Sequence, residues 1–148
     1  MKTALITGAT DGVGRVVARD LGKQGWRVLV HGRNRQRGEA LVGEIEQAGG
    51  SASFLAADLS SLAEVRSLAE AAPREFGGLD ALVNNAGIGT SGAGRELSAD
   101  GFELRFAVNY LAGFLLTHLL LPVLERGESP RIASTSPRQD NRQSTFPM

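Results

Sequence analysis

Residues 2–14 read KTALITGATDGVG, in which a short apolar run leads directly into a glycine-rich turn. The run Lys2–Thr7 predicts a buried strand. After the turn, Val13, Val16, Val17 and Leu21 recur at the three- and four-residue spacing of a helix. A strand joined through glycines to a helix is the expected first unit of an α/β fold.

The same unit repeats along the chain. Further strands are predicted at 26–31, 53–57, 79–83 and 132–135, and further helices at 37–48, 62–76 and 100–121. Glycines end the first three helices, and Ser60 or Ser61 is expected to cap the third. This alternation predicts a Rossmann-like, doubly wound parallel sheet in the order 3-2-1-4-5, with helices on both faces.

Composition narrows the range of partners. The 148-residue chain has a formal net charge of +0, so neither nucleic acid nor an anionic membrane is predicted as a partner. The absence of Cys excludes disulfides, and His31 and His118 are expected to be structural or surface groups rather than metal ligands. The apolar run before Thr7 is too short for a secretory signal, so a cytoplasmic location is expected.

The most apolar part of the chain is Val108–Leu124, which is interrupted by Asn109, Thr117, His118 and Pro122. We therefore predict a buried amphipathic helix rather than a membrane span. Its leucine-rich surface is typical of a core or a subunit interface, and self-association through this helix is a further expectation.

The glycine-rich turn has the composition of an anion site. Backbone N–H groups at a helix start, together with the positive end of the helix dipole, favour a bound pyrophosphate. Gly8, Gly12 and Gly14 would permit the tight turn, the close approach of the phosphate and the packing of the helix on the sheet. The alternative is a turn that is merely compact.

The end of the second strand bears on the choice of cofactor. An acidic residue at this position selects the ribose hydroxyls of NAD, whereas this chain has Gly32-Arg33-Asn34, followed by Arg35 and Arg37. Because Arg33 can donate two parallel charge-assisted hydrogen bonds to a phosphate, NADP (NADPH) is predicted in preference to NAD. The alternative is a solvated helix start at 33–37.

Two motifs carry a specific resemblance. TGxxxGxG at 7–14 and Asn84-Asn85-Ala86-Gly87 after the fourth strand resemble the short-chain dehydrogenase/reductase family, and the segments 101–103 and 119–122 resemble its retinol-dehydrogenase-like branch. The resemblance extends from Lys2 to about Ile132. It implies an oxidoreductase that transfers hydride between nicotinamide and a small-molecule alcohol or carbonyl. The extended sugar-nucleotide epimerases match less well, because their spacing resembles TGxxGxxG.

The resemblance also implies site residues. Arg33 and Asn34 are the predicted cofactor residues at the end of the second strand. The resemblance implies further cofactor contacts from the turns after the first, third and fourth strands: Thr7, Gly8, Asp11, Gly12, Val13, Gly14, Asp58, Leu59, Asn85, Ala86 and Gly87. Asn84 is expected to support the sheet, and Asn109 to kink the long helix and hold a water in the family's proton relay. From spacing alone, a helix cap or a solvated loop carboxylate is an equal reading of Asp58, and a structural amide is the safer reading of Asn109.

The catalytic set is incomplete in this sequence. Members of the family exchange the substrate proton through a Tyr-x-x-x-Lys pair, whose side chains lie one helical turn apart. The only Tyr is Tyr110, followed four positions later by Phe114, and the lysines are Lys2 and Lys23. Tyr110 is predicted to lie near the core. Asn109 is thus the only catalytic residue at a matching position, and the chain is expected to bind cofactor with almost no turnover.

The sequence changes character near its end. Residues 133–148 lack an apolar period and are predicted to be irregular, after a nucleotide-binding domain at 1–132. Pro137 stands where the family's active-site Ser belongs, with Ser134 and Ser136 displaced. We hypothesise a broken reading frame and expect the family's C-terminal strands and helices to be missing, which leaves the fifth strand as an exposed edge. A non-catalytic NADP-binding module and a non-functional fragment are the alternatives.

Overall fold

Strands and helices alternate along the computed structural model, which describes residues 1–89 and 94–135. Within these ranges the strands are β1 (Thr3–Ile6), β2 (Arg27–Gly32), β3 (Ser51–Ala56), β4 (Ala81–Asn84) and β5 (Arg131–Ser134). The helices are α1 (Gly12–Lys23), α2 (Arg35–Gln47), α3 (Leu62–Glu75) and α4 (Leu104–Leu124). The alternation predicted from the apolar pattern is confirmed, with element ends shifted by a few residues.

The strands form one parallel sheet in the order β3-β2-β1-β4-β5, as predicted. Leu5 in the central strand lies opposite Leu29 on one side and Leu82 on the other. The chain runs outward from β1 to β3 and then crosses to β4. The carboxyl ends of β1 and β4 are therefore neighbours where the winding direction reverses, which is the usual ligand position in such sheets.

Two apolar layers cover the sheet. On one face, Ile6 and Val30 pack with Leu41 and Ile45 of α2, and Ala18 of α1 lies in the same cluster. The other face is covered by α3 and α4, through buried residues that pack on the leucines of the sheet: Val65, Leu68, Ala72, Leu116, Leu120 and Leu124. Alternate residues of β1, β2 and β4 face opposite layers, as the two-residue period of a strand requires.

The predicted apolar face of α1 is partly wrong. Val13 and Val16 are 62% and 56% exposed, whereas the buried residues of this helix are Gly14, Ala18 and Gly22. A β-carbon at Gly22 would lie 2.8 Å from the side chain of Ile45. Small residues thus let α1 approach its neighbours closely, and this packing overrides the hydrophobic periodicity.

Helix α4 begins at Leu104, so the predicted start at residue 100 is wrong. Gly101 has a positive φ of 84°, which ends the preceding turn. The carboxylate of Glu103 accepts a hydrogen bond of 2.8 Å from the backbone N–H of Phe106 and caps the helix. The segment Ala107–Leu111 is π-helical, and the helix then continues in α geometry.

Only one face of α4 is buried, which corrects the prediction of a buried helix. Tyr110 is 59% exposed rather than near the core, and its ring stacks between those of Phe106 and Phe114 at centroid distances of 5.4 and 6.2 Å. Among the described residues, α4 is also the one helix long and apolar enough to cross a membrane. The expectation that its polar residues make this helix too polar to span a membrane is therefore wrong. Length and composition alone do not separate a membrane span from the core helix of a soluble protein.

Strand β5 lies at the edge of the sheet. All four of its residues are exposed, and within the described ranges its only strand partner is β4. The register pairs Ile132 with Leu82 and Ser134 with Asn84. The sheet thus extends to Ser134, and residues 136–148 lie outside the described part of the chain.

Candidate functional site

A cleft of about 710 Å³ opens at the carboxyl ends of β1 to β4. Its size lies within the range of small-molecule and cofactor sites. Nine of the residues predicted from the sequence line it: Gly8, Asp11, Arg33, Asn34, Asp58, Leu59, Asn85, Ala86 and Gly87. The lining also includes several residues that the sequence did not indicate, among them Thr10, His31, Ser60 and Ile88.

The glycine-rich turn forms one wall of the cleft. Gly8 has a φ of 62°, and a β-carbon there would lie 2.7 Å from the Cα of Ala86. Gly14 packs underneath, where a β-carbon would collide with the carbonyl oxygen of Gly8. Asp11 is the N-cap residue of α1, and its side chain makes no capping hydrogen bond within the described ranges. The first amides of this twelve-residue helix therefore keep their capacity to bind an anion.

Thr7 bonds the end of β1 to the turn after β4 and does not line this cleft. It is almost completely buried, and its Oγ1 accepts hydrogen bonds from the backbone N–H groups of Asn85 (3.0 Å) and Ala86 (3.1 Å). Gly12, Val13 and Gly14 also lie outside the lining.

Two adjacent asparagines connect elements around the cleft. The Nδ2 of Asn85 donates to the carbonyl of Gly8 (3.0 Å), and its Oδ1 accepts from the Thr135 hydroxyl (2.9 Å). The Nδ2 of Asn84 donates to the Oγ1 of Thr117 (2.9 Å), which ties β4 to α4. Asn84 thus has the supporting position that was expected of it, while Asn85 joins the glycine turn to the residue that follows β5.

The end of β2 is basic. Arg33 and Arg37 line the cleft, and their guanidinium groups make no hydrogen bond or ion pair to residues 1–89 or 94–135. Arg35 differs, because it pairs with Glu39 at 3.2 Å and lies over the ring of Phe54. Asn34 accepts a hydrogen bond from the backbone N–H of Arg37 (3.0 Å) and caps α2.

Asp58 lies at the end of β3, across the cleft from the glycine turn. Its Oδ1 accepts hydrogen bonds from the hydroxyl (2.7 Å) and the backbone N–H (2.9 Å) of Ser60. The hydroxyl bond and, more weakly, the nearby Arg33 hold the pKa of this carboxyl below its ordinary value, so it is ionised. Ser61, not Ser60, caps α3 by accepting from the N–H of Glu64 (3.4 Å).

His31 is the main cleft residue that sequence reasoning missed. Its Nδ1 accepts the N–H of Gly8 at 3.1 Å, and its Nε2 lies 2.9 Å from the carbonyl of Ala57. Burial lowers the pKa of the imidazole, which favours the neutral ring with its proton on Nε2. It was expected to be a structural or surface group. Its place at the carboxyl end of a buried strand, two positions before Arg33, was the available signal.

Asn109 lies outside the main cleft. It borders a neighbouring cavity of about 350 Å³ between α4 and the ends of β4 and β5. Its Oδ1 accepts from the N–H of Ile88 (2.7 Å), and its Nδ2 donates to the carbonyl of the same residue (3.0 Å). Asn109 is exposed. From the sequence, a kink is expected at this position, and the structure has the π-helical segment Ala107–Leu111 there.

The remaining sequence expectations concern catalytic and metal-binding groups. Ser134 ends β5 and borders the smaller cavity, whereas Ser136 and Pro137 lie outside the described residues. No cluster of three or more His, Asp or Glu side chains that could hold a metal ion occurs in the part of the chain that the structure describes.

The fold and the cleft together define a class of protein. A doubly wound parallel sheet, with a glycine-rich turn after its central strand and a cleft at its reversal point, is the architecture of dinucleotide-binding proteins. A family model described as short chain dehydrogenase matches residues 2–144. The chain belongs to the short-chain dehydrogenase/reductase family and, by its relatives, to the retinol-dehydrogenase-like branch.

The curated relatives are considerably longer than this chain. Dehydrogenase/reductase SDR family member 13 of Bos taurus is 42% identical over 137 residues, which cover 91% of this chain and 35% of the relative. Retinol dehydrogenase 14 of Mus musculus is 39% identical over 147 residues, which cover 91% of this chain and 43% of the relative. The chain therefore spans 35% to 43% of the length of these two proteins.

Solved structures share the arrangement of strands and helices. A short-chain dehydrogenase from Burkholderia cenocepacia J2315 in complex with NADP has a TM-score of 0.80 and 34% identity, covering 91% of this chain and 55% of that one. A 7α-hydroxysteroid dehydrogenase complexed with NADH and an oxo bile acid has a TM-score of 0.79 and 31% identity, covering 91% and 52%. Similar chains have thus been solved with either nicotinamide cofactor.

Proposed function

We propose that this chain binds NADP in the cleft at the carboxyl ends of β1 to β4, as the cofactor-binding part of an oxidoreductase that acts on a small-molecule alcohol or carbonyl. The observation that carries the proposal is the pair Arg33 and Arg37, which line the cleft and whose guanidinium groups make no hydrogen bond or ion pair among the described residues. When bound, the nicotinamide would supply or accept the hydride.

The glycine turn fits a pyrophosphate. Because a β-carbon at Gly8 or Gly14 would collide with the backbone, glycine keeps this wall thin. The N–H of Gly8 is already donated to His31, so the donors to the pyrophosphate would be the later amides, from Asp11 to Val13. Gly8 would therefore contribute space, and the start of α1 would contribute hydrogen bonds and dipole.

The other walls would hold the remaining parts of the cofactor. Asp58 and Leu59, which follow β3, would contact the adenine. Asn85, Ala86 and Gly87, which follow β4, would lie beneath the nicotinamide ribose, with Asn85 fixed by its bonds to Gly8 and Thr135. Asn109 would hold the loop after β4 through Ile88, a supporting part that does not require it to relay a proton.

The preference for NADP over NAD would come from the end of β2. A second phosphate on the adenosine ribose adds charge that a guanidinium neutralises, and a hydrogen bond to a charged group contributes about 1.5–3 kcal/mol. Arg33→Ala is expected to weaken NADPH binding about tenfold to a hundredfold, with little effect on NADH. Titration of cofactor fluorescence would measure both.

Arg35→Ala is the matched control, since Arg35 is two positions away and already paired with Glu39. It is expected to leave both affinities unchanged. Equal losses in the Arg33 and Arg35 variants, or an equal loss for NADH and NADPH, would contradict the assignment of Arg33.

For the 148-residue polypeptide we propose cofactor binding with almost no turnover. Tyr110 is 59% exposed on α4, Lys2 lies beside Trp26 at the amino end of β1, and Lys23 ends α1. No Tyr and Lys therefore meet at the cleft within the described residues. A non-catalytic NADP-binding module is the second candidate, and NADPH binding without NADPH oxidation across a panel of ketones and aldehydes would favour it.

A further inference from the structure

We propose that His31 is a positioning residue, which joins the glycine turn to the end of β3 through a neutral imidazole and so sets the shape of the cofactor cleft. This inference rests on the proposed function. It assigns a role to a side chain that neither the glycine motif nor the basic end of β2 includes.

The geometry places His31 between two walls of the cleft. Its Nδ1 accepts from the N–H of Gly8 (3.1 Å), at the first residue of the glycine turn, and its Nε2 donates to the carbonyl of Ala57 (2.9 Å), directly before Asp58. The carbonyl of Gly8 is held independently by the Nδ2 of Asn85 (3.0 Å). The N–H and the carbonyl of Gly8 are thus both hydrogen-bonded, and the bond to the His31 side chain links Gly8 to the adenine side.

These two bonds require a neutral ring. One nitrogen accepts while the other donates, whereas a protonated imidazole has two donors and would point an N–H at the N–H of Gly8. Since His31 is 2% exposed, water cannot readily replace the lost bond. Protonation would therefore remove the side-chain link between the two walls, which stay joined to β2 by the backbone bonds of Ala9 to His31 (2.9 Å) and of Ala57 to Gly32 (3.3 Å).

The charges around His31 are mixed. Arg33 and Arg37 from the end of β2 and the start of α2, Asp58 from the end of β3 and Asp11 from the glycine turn all line the same cleft. Burial has the largest effect on the pKa of His31 and lowers it below the ordinary value of 6.5, and Arg33 lowers it further. The bond to Ala57 and the charge of Asp58 act in the opposite direction but are outweighed. The ring is therefore neutral at pH 7.

Three variants test the role at pH 7.5. His31→Gln offers an amide oxygen and an amide N–H and is expected to keep the NADPH dissociation constant within about threefold of the unmodified chain. His31→Leu offers neither and is expected to raise that constant roughly tenfold, because a backbone donor and acceptor lose their partner. His118→Gln is the control, since His118 lies on the exposed face of α4 against Phe114, and no change is expected.

The pH profile separates positioning from simple packing. Once the pH is low enough to protonate the buried imidazole, NADPH binding to the unmodified chain should weaken more than binding to His31→Gln, because only the former loses an acceptor. The ribose phosphate of NADPH itself titrates near pH 6. Because this titration affects binding to both proteins equally, its effect cancels in the ratio of their dissociation constants. Wild-type affinity in His31→Leu, or parallel profiles over a pH range in which the imidazole resonances show that His31 becomes protonated, would overturn the role of His31.

Two further results keep the test decisive. If the variants do not fold, imidazole ¹⁵N resonances of the unmodified chain at pH 7 decide the question: a neutral ring protonated on Nε2 supports the role, and a charged ring or the other tautomer overturns it. Failure of the unmodified chain to bind NADPH at pH 7.5 would overturn the proposed function and this inference together. Binding that is insensitive to His31 would overturn the inference alone.

Discussion

At the scale of single residues, the cleft is built by short polar side chains that each connect two strand ends. Thr7 joins β1 to the turn after β4, and Asn85 joins that turn to Gly8 and Thr135. His31 joins the end of β2 to the residues after β1 and β3. These links hold the backbone, while Arg33 and Arg37 remain available to a ligand.

Gly8 is the residue where backbone conformation and packing coincide. Gly8→Ala would force a positive φ and place a methyl group 2.7 Å from the Cα of Ala86, so we expect a loss of about 2–4 kcal/mol in the free energy of unfolding. Gly12→Ala is the control, because Gly12 also has a positive φ but nothing lies within 4 Å of the added carbon. Its expected loss is about 1 kcal/mol. Urea unfolding measures both, and equal losses would contradict the close approach of Gly8 to β4.

At the scale of elements, α4 has two different surfaces. Leu116, Leu120 and Leu124 belong to the core formed with α3 and the sheet, while Tyr110 and Phe114 form part of an exposed aromatic row. The π-helical segment near its start carries Asn109, whose amide makes two hydrogen bonds to the backbone of Ile88. The helix therefore supports both the core and the edge of the cleft.

Adjacent leucines of α4 provide a direct test of its orientation. Leu120 is completely buried and Leu121 is 38% exposed. Leu120→Ala is expected to cost about 2–5 kcal/mol of unfolding free energy, because it leaves a cavity in the core. Leu121→Ala should cost less than about 1 kcal/mol. The reverse order in chemical denaturation would mean that α4 packs on its other face.

At the scale of the whole molecule, the strand order follows from the sequence. Apolar strands that alternate with amphipathic helices leave few topologies once crossovers are right-handed, and the order β3-β2-β1-β4-β5 is one of them. The sequence also predicts that three segments lie close together, namely the glycine turn, the basic end of β2 and the Asn85–Gly87 turn. Each follows a parallel strand, and parallel strands have their carboxyl ends on the same side of the sheet. Nine predicted residues line one cleft for that reason.

Other features depend on contacts between residues far apart in the chain. The bonds of Thr7 to Asn85 and of His31 to Ala57 join residues 78 and 26 positions apart, and no local pattern encodes them. The exposed faces of α1 and α4 were mispredicted because periodicity identifies an apolar stripe but not what covers it. At Val13 and Val16, close packing through glycine and alanine decided which side faces the sheet.

The central claim, that the chain carries a working NADP cleft, is tested most directly by the thermal stability of the 148-residue polypeptide at equal concentrations of NADPH and NADH. Selective binding of NADPH at a hundredfold excess over its dissociation constant would stabilise the folded state by about 2.7 kcal/mol. We expect a clear rise in melting temperature with NADPH and a smaller one with NADH. No shift with either cofactor, or a larger shift with NADH, would contradict the claim.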